Sequence, residues 1–409
     1  MFNIDSFIYE YVTKRPGSMF EQDIRSNDEK LYELIGGKSL LVIGGAGSIG
    51  SSFIRAILPF KPAELVVVDT NENALTELTR SLRSSFTLSQ FVPDIYLPYP
   101  MDYSSVTFRR MFAHHKRSNG LKGFDIVGNF SAHKHVRSEK DIYSVEALVR
   151  NNVIGAKGLL DLLEENPPET YFCVSTDKAA NPVNIMGASK RIMEDLIFSY
   201  SSAFPVKTAR FANVAFSNGS LPAGFIERIN RHQPLSAPSD VKRYFVSPEE
   251  SGQICMLSAM LGVNRAIFFP KLEEAQMTTF DKIAEDLLHV MGYEVDYCSS
   301  DEEAIEKSRD WTDGKPYPVH FSKSDTSGEK AFEEFFIEGE SVDLNSFSSL
   351  GVITDKAIPN RGKVTDLIKT LDSAFETEGC TKSDIVKIMG QYLPNFDHIE
   401  TGKGLDGKM

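Results

Sequence analysis

The sequence predicts an α/β protein in which helices cover both faces of a doubly wound parallel sheet, with a smaller lobe towards the C-terminus. Two observations predict this fold. Short, almost wholly apolar segments such as Ser39–Ile43 and Glu64–Val68 alternate with segments of helical periodicity, and such strands are typical of parallel sheets buried on both faces. A glycine-rich turn also follows the first of these strands, at the point where a helix begins.

The alternation of strands and helices extends over residues 38–215. Further strands are predicted at Asp94–Leu97, Ile126–Phe130, Tyr171–Val174 and Val206–Phe211. Helices are predicted at Ser51–Leu58, Asn73–Leu82, Val145–Glu165 and Ala188–Ser202. We therefore assign residues 38–215 to a Rossmann-like domain.

The regions on either side of this domain lack its regular alternation of strands and helices. Residues 1–37 are predicted to form a helical extension that ends at two glycines. Residues 216–350 are assigned mainly to a second, substrate-binding lobe, with helices that return to the first domain; helices are predicted at Ser251–Leu261 and Phe280–Met291. Within this lobe residues 301–351 are polar, and we expect them to be rich in loops. Residues 351–409 are assigned to a C-terminal extension with one helix, Lys382–Tyr392.

Composition excludes several classes of function. The net charge of −13 over 409 residues disfavours nucleic acid and anionic membranes as partners. Apolar runs stay below the roughly 18–20 residues that span a bilayer, and the N-terminus lacks the apolar centre of a signal peptide. The four cysteines are far apart, and no His, Cys or acidic spacing is typical of a metal site. We expect a cytoplasmic protein without a bound metal.

The glycine-rich turn predicts a dinucleotide site. Gly44, Gly47 and Gly50 follow the first strand, where glycine permits a tight turn and a close approach of backbone to a pyrophosphate. Asp69 ends the second strand, 19 residues beyond the last glycine. An acid at that spacing binds the adenosine ribose and repels a 2′-phosphate, which favours NAD over NADP. Asp102, after the third strand, is either a contact to adenine or an exposed loop acid.

The glycine spacing resembles that of extended short-chain dehydrogenases/reductases. The segment Ser175–Lys190, STDKAANPVNIMGASK, closely resembles nucleotide-sugar 4,6-dehydratases that act on N-acetylglucosamine, in the polysaccharide-biosynthesis group. Further matches are Ser131–Val136, Arg210–Val214, Arg243–Phe245, Phe268–Leu272 and Gly328–Lys330, so the resemblance covers about residues 38–340. It implies NAD-dependent conversion of UDP- or GDP-linked N-acetylglucosamine to a 4-keto-6-deoxy sugar for bacterial glycans such as nonulosonic acids, by a homo-oligomer that is a dimer or larger.

The resemblance also implies roles for individual residues. Lys178 would remove the proton at sugar C5, and Asp177 would protonate the departing C6 hydroxyl. Lys190 would bind the nicotinamide ribose. The residues assigned to the cofactor are Gly44, Gly47, Ser48, Ile49, Asp69, Asn71, Asp102, Ser131, Ala132 and Lys190.

Met186 departs from the family pattern, which has a tyrosine at this position. A thioether cannot accept the proton of the C4 hydroxyl. We therefore expect Thr176, a water molecule or Asp177 to pass that proton on.

The residues predicted to bind the sugar lie in less specific motifs than those predicted to bind the cofactor. Lys134 and His135 resemble residues at the junction of nicotinamide and sugar, although an ordinary loop after a strand gives the same pattern. Asn213, Arg243 and Lys271 are assigned to the sugar or diphosphate, with a surface or core-capping role as the alternative for Arg243. Thr326-Ser327 replaces the Arg-Pro of related UDP-sugar enzymes, which leaves the choice between UDP and GDP open.

Two other functions compete with dehydration. A nucleotide-sugar 4-epimerase needs the same oxidation at C4, but it relies on the missing tyrosine and would leave Asp177 and Lys178 idle. The other competing function is that of a catalytically inactive NAD-binding regulator, which Met186 in place of the tyrosine suggests.

Overall fold

The structure, a computed structural model, describes residues 2–135, 139–324 and 334–400. Its main sheet has nine strands in the described residues, in the order β15-β16-β11-β6-β5-β4-β1-β2-β3. Their bounds are β1 Ser39–Ile43, β2 Glu64–Asp69, β3 Ile95–Pro100, β4 Ile126–Asn129, β5 Thr170–Val174, β6 Val206–Ala209, β11 Ile267–Pro270, β15 Ser341–Asp343 and β16 Leu350–Thr354. The seven strands from β3 to β11 are parallel, and β16 and β15 complete the sheet in antiparallel fashion.

The strand order reverses beside β1, which pairs with β2 on one side and with β4 on the other. Ligands of open α/β sheets bind in the crevice that such a reversal leaves at the carboxyl ends of the strands. The predicted fold class is confirmed, and the glycine-rich turn after β1 lies at this crevice.

Among the described residues, seven further strands form three small sheets. One contains β8 Leu235–Pro238, β13 Val295–Tyr297 and β14 Tyr317–Ser322. The others pair β7 Asn213–Val214 with β10 Phe245–Val246, and β9 Lys242–Arg243 with β12 Thr278–Thr279.

The helices of the described residues number fifteen. They are α1 Ile4–Phe7, α2 Glu21–Ser26, α3 Asp28–Ile35, α4 Ser48–Ile57, α5 Glu72–Ser84, α6 Val106–His114, α7 Ile142–Val149, α8 Ala156–Glu165, α9 Ile185–Phe198, α10 Leu221–Asn230, α11 Pro248–Leu261, α12 Phe280–Val290, α13 Asp301–Arg309, α14 Arg361–Phe375 and α15 Lys382–Tyr392. A π-helical segment, Arg150–Gly155, joins α7 to α8, so the helix predicted over Val145–Glu165 is one continuous helical run.

The C-terminal half agrees with one expectation and departs from the prediction at two points. In the described part of residues 301–351, α13, β14, β15 and the start of β16 account for fewer than half of the residues, so this stretch is rich in loops as expected. The C-terminal extension has two helices rather than one, since α14 precedes α15 and buries Val364, Leu367, Ile368 and Leu371. The strand β11 was not predicted, although its four buried residues continue the main sheet beyond β6. β11 is a short apolar run between polar segments, so its sequence shows no periodicity from which a strand could be predicted.

Two hydrophobic cores organise the chain. The larger surrounds the main sheet and includes the apolar face of α14. The smaller joins Phe7 and Ile8 of the N-terminal extension to Phe225, Trp311 and Tyr317 of the second lobe. Helix α11 crosses α4 so closely that a β-carbon at Gly252 would lie 2.1 Å from the carbonyl oxygen of Ser52. The residue boundaries predicted for the domains remain a prediction.

In the described part of the chain, no helix combines the length and apolar character that crossing a membrane requires.

Candidate active site

The turn after β1 is shaped by glycines that no other residue could replace without movement. Gly44 has a φ of +70°, and a β-carbon there would lie 2.6 Å from the backbone nitrogen of Ser131. A β-carbon at Gly50 would lie 2.4 Å from the carbonyl oxygen of Gly44. Gly47 is the N-cap of α4, which begins at Ser48. The first N–H groups of α4 therefore stand at the crevice, where a helix cannot satisfy them itself and a phosphate can.

Asp69 is tied to the glycine turn by its own carboxylate. One oxygen accepts a hydrogen bond from the N–H of Ala46 at 3.1 Å, and the other accepts from the N–H of Asn71 at 3.0 Å. Asn71 in turn caps α5, with its side-chain oxygen accepting from the N–H of Ala74. This arrangement brings the predicted ribose ligand to the predicted pyrophosphate turn.

Asp102 lies beyond the end of β3, next to the strand that carries Asp69. Its carboxylate accepts a hydrogen bond from the N–H of Ser104 at 2.8 Å, and the residue is exposed. The N–H of Met101 donates to the carbonyl of Asp69. Asp102 is thus brought beside Asp69, while its own hydrogen bond is that of a local turn.

Two adjacent asparagines, the partly buried Asn151 and the buried Asn152, hold the loop after β4. The hydroxyl of Ser131 donates to the side-chain oxygen of Asn151 at 3.1 Å. The Asn152 side chain accepts from the N–H of His133 at 2.9 Å and donates both to its carbonyl and to the hydroxyl of Ser189 on α9. Neither asparagine was predicted as a site residue from the sequence. Two adjacent amide side chains within the predicted helix Val145–Glu165 are the feature that could have identified them.

Thr176, Asp177 and Lys178 form a compact group directly after β5. A 3-10 helix, Asp177–Ala179, turns the chain here, with Thr176 as its N-cap. The Asp177 carboxylate is buried, with 4% of its side chain exposed, and the same oxygen accepts from the Thr176 hydroxyl at 2.7 Å and from the Lys178 ammonium at 3.2 Å. An acid, an ammonium group and a hydroxyl therefore meet at one oxygen atom.

Helix α9 brings Met186 and Lys190 to the same edge of the sheet. Asn184 caps the helix through the N–H of Gly187 at 2.8 Å. Met186 is 3% exposed, and Lys190 is 4% exposed. The Lys190 ammonium donates to the carbonyl of Val174 at 3.1 Å, the last residue of β5. Burial lowers the pKa of Lys190 from its usual value.

Beneath this edge lies a buried ion pair that sequence reasoning did not assign. Arg210 and Glu194 are fully buried, and the guanidinium donates to both carboxylate oxygens of Glu194 at 2.8 and 2.7 Å. The hydroxyl of Ser175 donates to Glu194 at 2.7 Å. Arg210 also contacts Glu340 at 3.1 Å. Burial by itself raises the pKa of Glu194, but the charge and hydrogen bonds of Arg210 outweigh it and leave the pKa below its usual value.

The loop that follows β7 bridges the cofactor side and the sugar side. The Ser48 hydroxyl accepts a hydrogen bond from the N–H of Asn218 at 2.8 Å. Lys134 reaches the hydroxyl of Ser217 at 3.5 Å, and a β-carbon at Gly219 would lie 3.0 Å from Nε2 of His135. Ser48, Lys134 and His135, which the sequence assigns to two different ligands, are therefore joined by one loop.

The remaining predicted sugar ligands are spread over separate elements. Asn213 lies in β7, and Arg243 is buried in β9 with Nη1 donating to the carbonyl of Lys242. Lys271 donates to the carbonyl oxygens of Leu344, Phe347 and Ser348 within 3.3 Å. An ammonium group has three donors, and here carbonyl oxygens take all three, which argues against Lys271 as a ligand of the diphosphate. Val136 and the segments Thr326-Ser327 and Gly328–Lys330 lie outside the described residues.

This chain is similar in sequence to several known proteins. One is the probable polysaccharide biosynthesis protein EpsC of Bacillus subtilis, 29% identical over 76% of this chain and 49% of its own length. Another is the UDP-N-acetylglucosamine 4,6-dehydratase (inverting) of Campylobacter jejuni, 25% identical over 63% of this chain and 74% of that protein. This chain thus spans about half the length of the first relative.

The fold has a counterpart among solved structures. The X-ray structure of Pen from Bacillus thuringiensis covers 83% of this chain and 98% of its own, with a TM-score of 0.61 and 18% identity. Residues 40–355 match the family described as Polysaccharide biosynthesis protein. That match takes in the glycine turn, the Thr176–Lys178 group and α9, and the chain belongs to this family.

Proposed function

We propose that this protein is an NAD-dependent 4,6-dehydratase of UDP- or GDP-linked N-acetylglucosamine. The observation that carries the proposal is the Asp177–Lys178 pair, held after β5 at the same edge of the sheet as the glycine turn. An elimination across sugar C5 and C6 needs a base and an acid at adjacent carbons, and this pair offers both. The Campylobacter relative supports the substrate class by its name.

The cofactor side fits NAD. The turn at Gly44 and Gly50 has no room for a β-carbon, the first turn of α4 offers N–H groups to a pyrophosphate, and Asp69 offers a carboxylate to a ribose. Lys190 would bind the nicotinamide ribose. When bound, NAD supplies a hydride acceptor for C4 and a hydride donor for C6, so the net reaction loses only water.

Asp177 and Lys178 offer the acid and the base of the elimination from one contact of 3.2 Å. A base at C5 must be a neutral amine, and an acid at the C6 oxygen must be a protonated carboxyl. Lys178 enters the reaction as the neutral amine, and Asp177 becomes the protonated carboxyl when it receives the proton that the C4 hydroxyl loses. Lys178 then takes the C5 proton, and Asp177 gives its proton to the C6 oxygen, which leaves as water.

Thr176 offers the route for the proton of the C4 hydroxyl. Its hydroxyl donates to the Asp177 carboxylate at 2.7 Å, so a proton accepted from C4 by Thr176 can pass on to Asp177. The buried thioether of Met186 shapes this position without taking part in proton transfer. The proton that leaves C4 is then the one that departs with the C6 oxygen, and Lys178, after exchange with solvent, gives a proton back to C5.

The direct test is to incubate the protein separately with UDP- and GDP-N-acetylglucosamine and to measure the product by mass spectrometry. We expect a product lighter by one water. Asp177→Asn and Lys178→Ala should lose about 10²–10⁴-fold in rate while retaining NAD. Lys282→Ala, which breaks an exposed ion pair with Asp286 on α12, is the matched control and should turn over normally. Sugar of unchanged mass but altered configuration would instead identify a 4-epimerase, and untouched sugar with bound NAD would identify a regulator.

A further inference from the structure

The carboxylate of Glu139 seals the start of α9. The residue is 6% exposed. One of its oxygens accepts from the N–H of Ile185 at 3.0 Å, and the other accepts from the N–H of Met186 at 2.9 Å. These are the first two N–H groups of the helix, which have no partner within it. Both oxygens are thus engaged by the backbone of the residues that open α9.

This contact joins two parts of the proposed site that are far apart in sequence. Glu139 lies four residues beyond His135, in the connection between β4 and α7 that also carries Ser131 and Lys134. Its partners belong to the helix turn that carries Met186, and Lys190 lies one turn further on. Hydrogen bonds to an ionised carboxylate are stronger than neutral ones, and a negative charge is favoured at a helix N-terminus.

A third segment closes over the same carboxylate. Nε2 of His398 lies 3.7 Å from the Glu139 oxygen that bonds Ile185, and the N–H of Ile399 donates to the carbonyl of Val183 at 2.9 Å. Glu139 is therefore enclosed by the start of α9 and by the end of the C-terminal extension. A group with both oxygens held in this way is suited to fixing a position rather than to exchanging protons with a substrate.

We propose that Glu139 is a positioning residue that fixes Met186 and Lys190 relative to the Asp177–Lys178 pair. The inference rests on the proposed dehydration, because that reaction requires the cofactor-binding lysine and the acid–base pair to face one sugar. Loss of the carboxylate removes the hydrogen bonds at Ile185 and Met186, while the Asn184 cap and each of these four side chains remain in the protein.

The kinetic test compares Glu139→Ala and Glu139→Gln with wild type, using UDP- or GDP-N-acetylglucosamine, whichever is turned over. For Glu139→Ala we expect kcat to fall about 10²-fold, the cost of a misplacement near 1 Å, with KM and NAD content little changed. Glu139→Gln keeps one carbonyl oxygen as an acceptor and should recover part of the rate. Glu250→Gln is the matched control. Glu250 lies at the start of α11, is buried, and accepts hydrogen bonds from the N–H groups of Ser247 and Met19. The Glu250→Gln change should lower the melting temperature and leave kcat unchanged.

A second readout does not depend on turnover. In protein labelled with ¹³C at methionine methyl groups, the Met186 signal is identified by its loss in Met186→Leu. We expect this signal to broaden or split in Glu139→Ala and Glu139→Gln, and to stay single in Glu250→Gln. If wild type dehydrates neither sugar, the proposed function fails, yet the methyl signal still tests Glu139.

The outcomes that overturn the inference are distinct. A folded Glu139→Ala with wild-type kcat and an unmoved Met186 signal would show that α9 does not need the carboxylate. A fall in kcat that only follows the loss of NAD or of folded protein, in both Glu139 variants, would reduce Glu139 to a structural residue. If Glu139→Ala does not fold, Glu139→Gln decides by the same two readouts.

Discussion

The two sides of the candidate site are held together in different ways. Beside β1 and β2, the Asp69 carboxylate is satisfied by the N–H groups of Ala46, 23 residues before it, and Asn71, two residues after it. Beside β5 and α9, groups are also held by partners much further away in sequence: Arg210 contacts Glu340, 130 residues away, and Glu139 accepts from N–H groups 46 and 47 residues away. The cofactor side is therefore a local motif, whereas the acid–base side depends on the whole fold.

The largest effect that this comparison predicts is at Arg210. Arg210→Met removes the bidentate partner of Glu194, which keeps Arg191, with Nη1 at 3.4 Å, as a nearby cation. Removing one member of a buried pair costs about 3–5 kcal/mol in the free energy of unfolding. The double variant Arg210→Met/Glu194→Met should be less destabilised than Arg210→Met alone, because the carboxylate of Glu194 is gone and Glu340 keeps its ion pair with Lys356. Chemical denaturation of the three proteins checks this, and a double variant no more stable than Arg210→Met would contradict it.

The same pair predicts a pH dependence. The pKa of Glu194 is lowered in the folded protein, so its stabilising contribution is present above the usual carboxyl pKa and is lost as the pH falls through the lower folded value. Without Arg210, burial would instead raise this pKa. The gap in stability between wild type and Arg210→Met should therefore narrow on acidification, and a gap that widens would exclude the pair as its source.

A smaller effect is expected where Thr176 and Met186 meet the proposed proton route. Thr176→Val keeps the shape and removes the hydroxyl that donates to Asp177, so turnover should slow more than about 10-fold, within the range for lost acid–base groups. Met186→Leu conserves volume and should cost under about 1.5 kcal/mol in stability, with turnover largely kept. Rates measured on the NAD-bound proteins compare the two, and loss of activity in Met186→Leu with none in Thr176→Val would rule out the relay.

On the cofactor side we expect a change in cofactor preference and only a modest loss of stability. Asp69→Ala removes two hydrogen bonds within one local unit, each worth about 1 kcal/mol or somewhat more, and should leave the protein folded. Its consequence should instead be a relaxed preference for NAD over NADP, because the repulsion of a 2′-phosphate is gone. Binding of both dinucleotides to wild type and variant measures this, and a wild type that prefers NADP would overturn the role of Asp69.

This contrast also explains what the sequence could reveal. Strand β1 begins and ends where periodicity predicts, and the glycine turn and Asp69 lie together, because each is specified within a few tens of residues. Glu139 was missed because its partners lie 46 and 47 residues away and a lone glutamate in a polar stretch carries no pattern. Glu194 was missed because a glutamate within a predicted helix gives no sign that it is buried. Lys271 was predicted as a ligand from the family resemblance of Phe268–Leu272, yet the carbonyls that engage it come from residues 344–348.

The most direct test of the account is the reaction of the wild-type protein in D₂O, with the product examined by mass spectrometry and NMR at the first time points. If Lys178 exchanges the C5 proton while Asp177 releases the C6 hydroxyl, the product lacks one water and carries one deuterium at C5. Lys178→Ala should give neither change. The account would be contradicted if protein that holds NAD left the nucleotide sugar with all of its oxygen and without deuterium at C5.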